Sequence, residues 1–266
     1  MNYLDELENE SIYIIREAYN QIKDIALLWS IGKDSTTLLW LIRKAFYGNI
    51  PFPIVHIDTG YKFKEIYQYR DTYAKRWGLN LIVYKNELAI EKGVCPEKGK
   101  LECCTELKTK ALREIVDKNN YKALYLGIRR DEHGIRAKER YFSVRNEDFV
   151  WNYKEQAPEL WGQYRTQTIK GEHIRVHPLL GWTELDIWKY IYREQIPIVD
   201  LYLAKEGKRY RSIGCETCCQ PINSEACTVE KIIEELKTTK ISERSGRAQD
   251  KEKDYMMQKL RTLGYM

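Results

Sequence analysis

Ile25-Ala26-Leu27-Leu28-Trp29 runs straight into Ser30-Ile31-Gly32-Lys33-Asp34-Ser35 and from there into the helical stretch Thr36–Phe46. A short apolar run, a polar loop carrying one glycine and a segment of helical periodicity read as strand, loop, helix. The loop's backbone N–H groups then point outward from a helix N-terminus, where aligned peptide dipoles favour an anion. Gly32 lets the backbone approach closely, Lys33 supplies a mobile point charge, and Ser30 and Ser35 add hydroxyl donors. Together these groups suit a pyrophosphate. The spacing is not that of Walker A, which requires a longer interval before its Gly-Lys.

Outward from this loop the same alternation continues. Upstream, Leu4–Lys23 places Ile12, Ile15, Tyr19 and Ile22 on one helical face. Downstream, Pro51-Phe52-Pro53 resets the chain before the strand Ile54–Ile57, the helix Lys64–Trp77, the strand Leu79–Tyr84, the helix Thr105–Asn119 and the strand Ala123–Gly127. Strands alternating with helices imply right-handed crossovers and a parallel twisted sheet with helices on both faces, an α/β fold. Ligands in such folds sit beyond the carboxyl ends of the strands. Residues 129–171 are charged and aromatic with little periodicity, which predicts long loops over the site. Thr183 followed by Asp186 marks the start of another helix with a capping box. Val229–Leu236 and Lys251–Leu263 add two more helices, so residues 1–200 are expected to form the nucleotide-binding domain and 201–266 a cysteine-containing helical extension packed on the site.

Two further strand ends carry chemistry. Asp58-Thr59-Gly60 follows the second strand, where its carboxylate suits Mg²⁺ or an adenosine hydroxyl, though turn chemistry alone would also use these residues. Gly127-Ile128-Arg129-Arg130-Asp131-Glu132, with Arg136 and Arg140 after it, sets a fork of guanidinium groups beyond the fourth strand. Planar, bidentate donors of this kind fit a sulfate or phosphate oxyanion, and a solvated charged loop is the alternative.

Composition bounds the rest. A chain of 266 residues with 43% hydrophobic content can bury a full α/β core. No run approaches the roughly 18 apolar residues of a membrane span, and Met1–Glu10 is acidic rather than a basic leader, so a cytoplasmic protein is expected. The net charge of +5, from 44 basic and 39 acidic residues, is too mixed to imply nucleic acid and favours small anions. Seven cysteines fall into two groups, Cys95, Cys103 and Cys104, then Cys215, Cys218, Cys219 and Cys227. An odd count in an unexported chain argues against a disulfide framework and leaves metal binding, catalysis or burial.

The loop Ser30–Ser35 resembles the PP-loop of ATP pyrophosphatases, the adenine nucleotide alpha hydrolase-like fold, with Ile31 where the usual pattern has its first glycine. The wider set, Pro51-Phe52-Pro53, His56-Ile57-Asp58-Thr59-Gly60-Tyr61-Lys62-Phe63, Gly127–Arg140, Pro158-Glu159-Leu160-Trp161, Ile174-Arg175-Val176 and Ser242-Glu243-Arg244-Ser245-Gly246-Arg247, closing on Gly264-Tyr265, is similar to the small subunit of bacterial GTPase-coupled ATP sulfurylase (sulfate adenylyltransferase subunit 2) in the phosphoadenylyl-sulfate (PAPS) reductase superfamily. The resemblance implies an ATP-dependent nucleotidyltransferase of sulfate assimilation that joins ATP and sulfate into adenylyl sulfate and pyrophosphate, with a GTPase large subunit or homo-oligomer as partner. By that reading Ser30, Gly32, Lys33, Asp34, Ser35, Asp58, Gly127, Arg244 and Arg247 hold MgATP, and Lys33, Arg129 and Arg130 act on the reacting groups.

Two features depart from this pattern. The family carries a longer insertion between Leu203 and Arg211, and it does not as a rule carry paired cysteines. Cys103-Cys104 and Cys215-Glu216-Thr217-Cys218 resemble the two halves of the [4Fe–4S] ligand set of iron–sulfur adenylyl-sulfate reductases, and four thiolates suffice for such a cluster, with zinc as the alternative. Cys219 offers a substitute for Cys218. A reductase would need a late Glu-Cys-Gly thiol, and this chain has no cysteine after Cys227. An iron–sulfur PP-loop sulfurtransferase that adenylates another acceptor is the remaining enzymatic reading.

Overall fold

A computed structural model describes residues 2–247. The expected helix Lys251–Leu263 and the Gly264-Tyr265 match lie outside the described residues. Helix α1 (Tyr3–Gln21) leads into strand β1 (Ile25–Leu28), helix α2 (Lys33–Ala45), β2 (Ile54–Ile57), α3 (Lys64–Arg76) and β3 (Leu81–Tyr84). A short helix α4 (Glu87–Glu91) precedes α5 (Lys100–Cys104), a π turn (Thr105–Lys110) and α6 (Ala111–Asn119), then β4 (Ala123–Tyr125). Beyond lie β5 (Phe142–Arg145), β6 (His173–Val176), α7 (Glu184–Glu194), the two-residue strands β7 (Lys208–Arg209) and β8 (Ile222–Asn223), and α8 (Val229–Thr238).

The main sheet has the order β3-β2-β1-β4-β6-β5. All its pairs are parallel except β5 with β6. The chain steps from β1 to β2 to β3 in one direction and then returns to the other side of β1 as β4. The loops after β1 and β4 therefore diverge at a switch point, and the crevice opens there. Both faces of the central strands are apolar because both are covered. On β1, Ile25, Leu27 and Trp29 join a core shared with α1, α2 and α7, while Ala26 and Leu28 join the core under α6.

Tyr202, Cys219, Ala226, Ile232 and Ile233 belong to the first of these cores. The described part of the C-terminal segment is thus packed into the same apolar body as the sheet. At α7 the sequence pattern is realised in full: the Thr183 side chain accepts from the Asp186 N–H, and Asp186 accepts from the Thr183 N–H at 2.9 Å.

Four elements differ from expectation. The helix expected from Thr105 begins at Lys100 and passes through the π turn. Helix α2 begins at Lys33, so Lys33, Asp34 and Ser35 form its first turn. Strands β5 and β6 were absent from the periodicity because their polar residues point inward: Arg145 and Arg175 are completely buried, and Arg145 pairs with buried Glu139 at 2.8 Å. A strand whose inward face carries paired ions loses the apolar alternation that identifies it.

Candidate functional site

Ser30, Ile31 and Gly32 link β1 to α2, and Gly32 caps the helix without a side-chain bond. The Ser30 and Ser35 hydroxyls lie 3.0 Å apart, and the Ser35 hydroxyl donates to the Gly32 carbonyl at 3.1 Å. The Lys33 N–H donates to the Tyr202 hydroxyl at 2.9 Å. Ile31 has φ 68° and is buried, a left-handed conformation costly for a β-branched residue and free for glycine. The isoleucine that stands where the PP-loop of ATP pyrophosphatases has its first glycine is therefore a point of backbone strain. Across the crevice, the β4 end presses on the loop: a Cβ on Gly127 would stand 2.8 Å from the Ser35 nitrogen and 2.9 Å from the Asp34 carbonyl carbon. Only glycine allows that approach.

One cavity is lined by Ser30, Gly32, Lys33, Asp34 and Ser35 on the loop side and by Gly127, Ile128, Glu132 and Arg136 from beyond β4. Lys62, Lys108, Tyr202, Ser212, Gly214, Arg244 and Arg247 also line it, with Leu28, Leu126 and Ile213 as its apolar part. Its cations, Lys33, Lys62, Lys108, Arg136, Arg244 and Arg247, outnumber its carboxylates, Asp34 and Glu132. Such an imbalance in a partly enclosed site favours a multiply charged anion. Glu132 pairs with Arg136 and, at 2.9 Å, with Arg244, so one carboxylate orients two guanidinium groups.

Arg129 does not line this cavity. It is completely buried, with Nε on Asp34 at 2.6 Å, Nη1 on Asp131 at 2.5 Å and Nη2 on Glu243 at 2.5 Å. Three carboxylates saturate its fork and raise its pKa against the opposing effect of burial. Arg130 lies with its guanidinium 5.3 Å from the centre of the Tyr141 ring, also away from the cavity lining. The Arg129 and Arg130 pair expected as an oxyanion clamp thus lies away from the cavity lining, where Arg136, Arg244 and Arg247 stand, and Arg129 ties Asp34 of the loop to Glu243. Asp58 is likewise engaged elsewhere, accepting from the Gly60 N–H at 2.8 Å and the Tyr67 hydroxyl at 2.9 Å and pairing with Lys85 at 3.2 Å. Its expected role on Mg²⁺ or a ribose hydroxyl has no support from this geometry, since its oxygens are committed and it does not line the cavity.

Glu243 lay within a matching motif but carried no expected role. It joins Lys33 and Arg129, and although burial pushes its pKa up, those two cations pull it well below the usual carboxylate range. Lys62 and Lys108 were also missed. The available signals were that Lys62 follows the β2 end by one turn and that Lys108 sits one helical turn after Cys104.

The cysteine halves come together beside this wall. Cys103, Cys104, Cys215 and Cys218 are buried. Burial first, then the neighbouring thiols of Cys104, Cys215 and Cys218, push Cys103 up to about 12. Cys215 stands 3.3 Å from the Thr59 hydroxyl and pairs through its backbone with Lys62. Burial raises its pKa, but Lys108, Lys62 and that hydroxyl bring it down to about 7. Cys219 accepts from the Gly214 N–H at 3.1 Å and from Arg247 at 2.9 Å. Cys95 is half-buried and Cys227 exposed. Among the described residues, no three His, Cys, Asp or Glu side chains stand in a metal-ligating arrangement. No described helix is long and apolar enough to cross a membrane.

Residues 24–221 match the phosphoadenosine phosphosulfate reductase domain. The chain is similar to sulfate adenylyltransferase subunit 2 of Bacteroides fragilis, 44% identical over 296 aligned residues covering 100% of this chain and 98% of the relative. The corresponding protein of Shewanella pealeana is 42% identical with the same coverage. Among solved structures, FMN adenylyltransferase of Candida glabrata shares the fold with a TM-score of 0.58 and 19% identity, over 82% of this chain and 63% of that one. PAPS reductase of Candida auris gives 0.55 and 16%, over 82% and 97%. The chain therefore belongs to the sulfate adenylyltransferase subunit 2 family, nucleotidyltransferases built on the phosphoadenosine phosphosulfate reductase domain.

Proposed function

We propose that the chain transfers the adenylyl group of MgATP to sulfate, releasing pyrophosphate. The observation that carries this reading is the cavity at the β1/β4 switch point, lined by the hydroxyls and helix-terminal amides of the Ser30–Ser35 loop and by Lys62, Lys108, Arg136, Arg244 and Arg247. The pyrophosphate moiety of ATP rests on Ser30, Gly32, Lys33 and Ser35. Sulfate, held by Arg136 and Arg244 through the orientation Glu132 imposes, attacks the α-phosphorus. A sulfate oxygen forms the new P–O bond, the bond to the β-phosphate oxygen breaks, and pyrophosphate leaves with the electron pair. No covalent enzyme intermediate is needed, so catalysis consists of positioning and charge stabilisation. Mg²⁺ enters as part of MgATP, carried on the phosphates. The subunit 2 name of the relatives supports a large-subunit partner, and the reaction belongs in the cytoplasm.

The buried thiols of Cys103, Cys104, Cys215 and Cys218 are the donor type of a [4Fe–4S] cluster, and they lie close enough to influence one another's ionisation. Those four residues would hold it, and it would supply rigidity and local charge beside Lys62 and Lys108. No step of the transfer runs through it. Anaerobically purified chain, given MgATP and sulfate with and without a large subunit, tests both parts. Adenylyl sulfate and pyrophosphate should form together, and metal analysis should return about four irons per chain. Absence of adenylyl sulfate under both conditions refutes the reaction, and colourless zinc-loaded protein refutes the cluster.

A further inference from the structure

Glu243 reaches the loop from far along the chain, and its position is imposed by its surroundings. Arg211, held by Glu184 through two nitrogens, donates to the Ile241 carbonyl at 2.6 Å. On the other side the Gln220 N–H donates to the Gly246 carbonyl at 2.9 Å, and Arg247 is fixed on Cys219. A Cβ on Gly246 would lie 2.5 Å from the Gln220 carbonyl oxygen, so this stretch is pressed against its support. Between these anchors the Glu243 carboxylate is presented to the loop with one oxygen on Lys33 and the other on Arg129.

The local charge is informative. Two buried cations, Lys33 and Arg129, face three carboxylates, Asp34, Asp131 and Glu243. This set alone carries one net negative charge beside a cavity whose wall is cationic as a whole, so a phosphate that is to gain Lys33 itself must displace a carboxylate from it. Asp34 and Asp131 sit on the elements that build the loop and the β4 end, whereas Glu243 belongs to the strap laid across them. Lys33 lines the cavity and Arg129 does not. Lys33 is thus the cation that can exchange partners, and Glu243 can keep Arg129 while it does so.

We propose that Glu243 is a resident anion that occupies Lys33 in the empty loop and yields it to the entering phosphate, acting as a positioning residue that weakens pyrophosphate binding and speeds its release. This rests on the reading of the Ser30–Ser35 loop as a pyrophosphate site. Lys33 stays fully charged and pre-aimed at the cavity, and the product meets a competitor as it leaves.

The test is calorimetric titration of the full chain with inorganic pyrophosphate, wild type against Glu243→Gln, with steady-state kinetics beside it. Removing one competing charge should tighten pyrophosphate about tenfold, the scale of one modest electrostatic interaction. KM for ATP should fall in parallel, and kcat should fall as Lys33 loses its fixed place and product lingers. A merely structural role predicts weaker binding, the opposite sign. If wild type binds pyrophosphate and a cooperatively folding Glu243→Gln binds it no more tightly, the resident anion is refuted while the site stands. If wild type takes up no pyrophosphate, the site reading itself fails and this inference with it. Should Glu243→Gln not fold, Glu243→Asp, too short to bridge both cations, must shift affinity in the same direction by a smaller factor, and an unchanged or weakened affinity overturns the proposal.

Discussion

Replacing Gly127 by alanine tests whether the contact between the β4 end and the first turn of α2 holds the nucleotide loop in place. The added methyl would lie 2.8 Å from the Ser35 nitrogen, 2.9 Å from the Asp34 carbonyl carbon and 3.0 Å from its oxygen. All three are backbone atoms of a helix start, so no side chain can swing aside. The helix terminus must retreat by about half an ångström to restore ordinary contact. Overpacking of this kind costs about 1–3 kcal/mol, equivalent to roughly 3–10 °C in Tm for a chain of this size. The shift also displaces Ser35 and the amides facing the phosphate. Since a misplacement of about 1 Å costs about 10²-fold, half of that should lower kcat/KM for ATP by about tenfold. Thermal unfolding and pyrophosphate release measure the two effects, with Gly134→Ala, where a Cβ meets nothing within 4 Å, as the neutral control. A Gly127→Ala protein with wild-type Tm and turnover would refute the idea that this contact positions the loop.

Other outcomes follow from the same geometry. Arg244→Lys keeps the charge but loses the planar fork oriented by Glu132, so KM for sulfate should rise about 10- to 100-fold with a smaller change in kcat; initial rates at varied sulfate decide it, and an unchanged KM returns Arg244 to a structural role. His56 is buried with Nδ1 donating to the Trp29 carbonyl at 2.9 Å, and burial, reinforced by Lys62, holds its pKa down to about 4. The unfolded chain takes up the proton near pH 6.5 and the folded one resists, so this contribution to stability is complete above pH 6.5 and shrinks as pH falls toward 4, by about 2 kcal/mol at pH 5. Urea unfolding of His56→Asn should accordingly lose less stability between pH 7 and pH 5 than wild type, and parallel losses would contradict the assignment.

How much of this was readable in advance depended on whether the determining contacts were local. The β1-loop-α2 unit, the β2 and β4 ends and the Thr183 cap are set by neighbours in sequence, and they were legible. The choice among Arg129, Arg130, Arg136 and Arg244 was not. A run of arginines after a strand end looks like one fork, but Arg129 is drawn inward by Glu243, 114 residues away, and Arg136 and Arg244 are turned to the cavity by a shared Glu132. The inward charges of β5 and β6 hid those strands for the same reason, because Glu139 and Arg145 stabilise each other only once the fold has closed over them. The cysteine halves could be matched by motif, but the approach of Cys215 to Lys62 follows from the backbone bridge between those two residues, 153 positions apart in the chain.

Ile31 supplies a test in which two local effects compete and the sign separates them. Its φ of 68° costs a β-branched residue about 1–3 kcal/mol, while its side chain, 1% exposed, belongs to the main apolar core and contributes about 1.5–3 kcal/mol through burial. Ile31→Ala removes the packing and keeps a Cβ in the unfavourable backbone region. Ile31→Gly removes the same packing and relieves the backbone as well. At an ordinary position glycine is less stable than alanine by about 0.5–1 kcal/mol because the unfolded chain gains freedom. Here the order should invert, with Ile31→Gly at least as stable as Ile31→Ala and both below wild type, as read from denaturant midpoints at constant m. If alanine keeps its usual advantage, the loop carries no strain at this residue, and the isoleucine in place of the ATP pyrophosphatase glycine is a packing change alone.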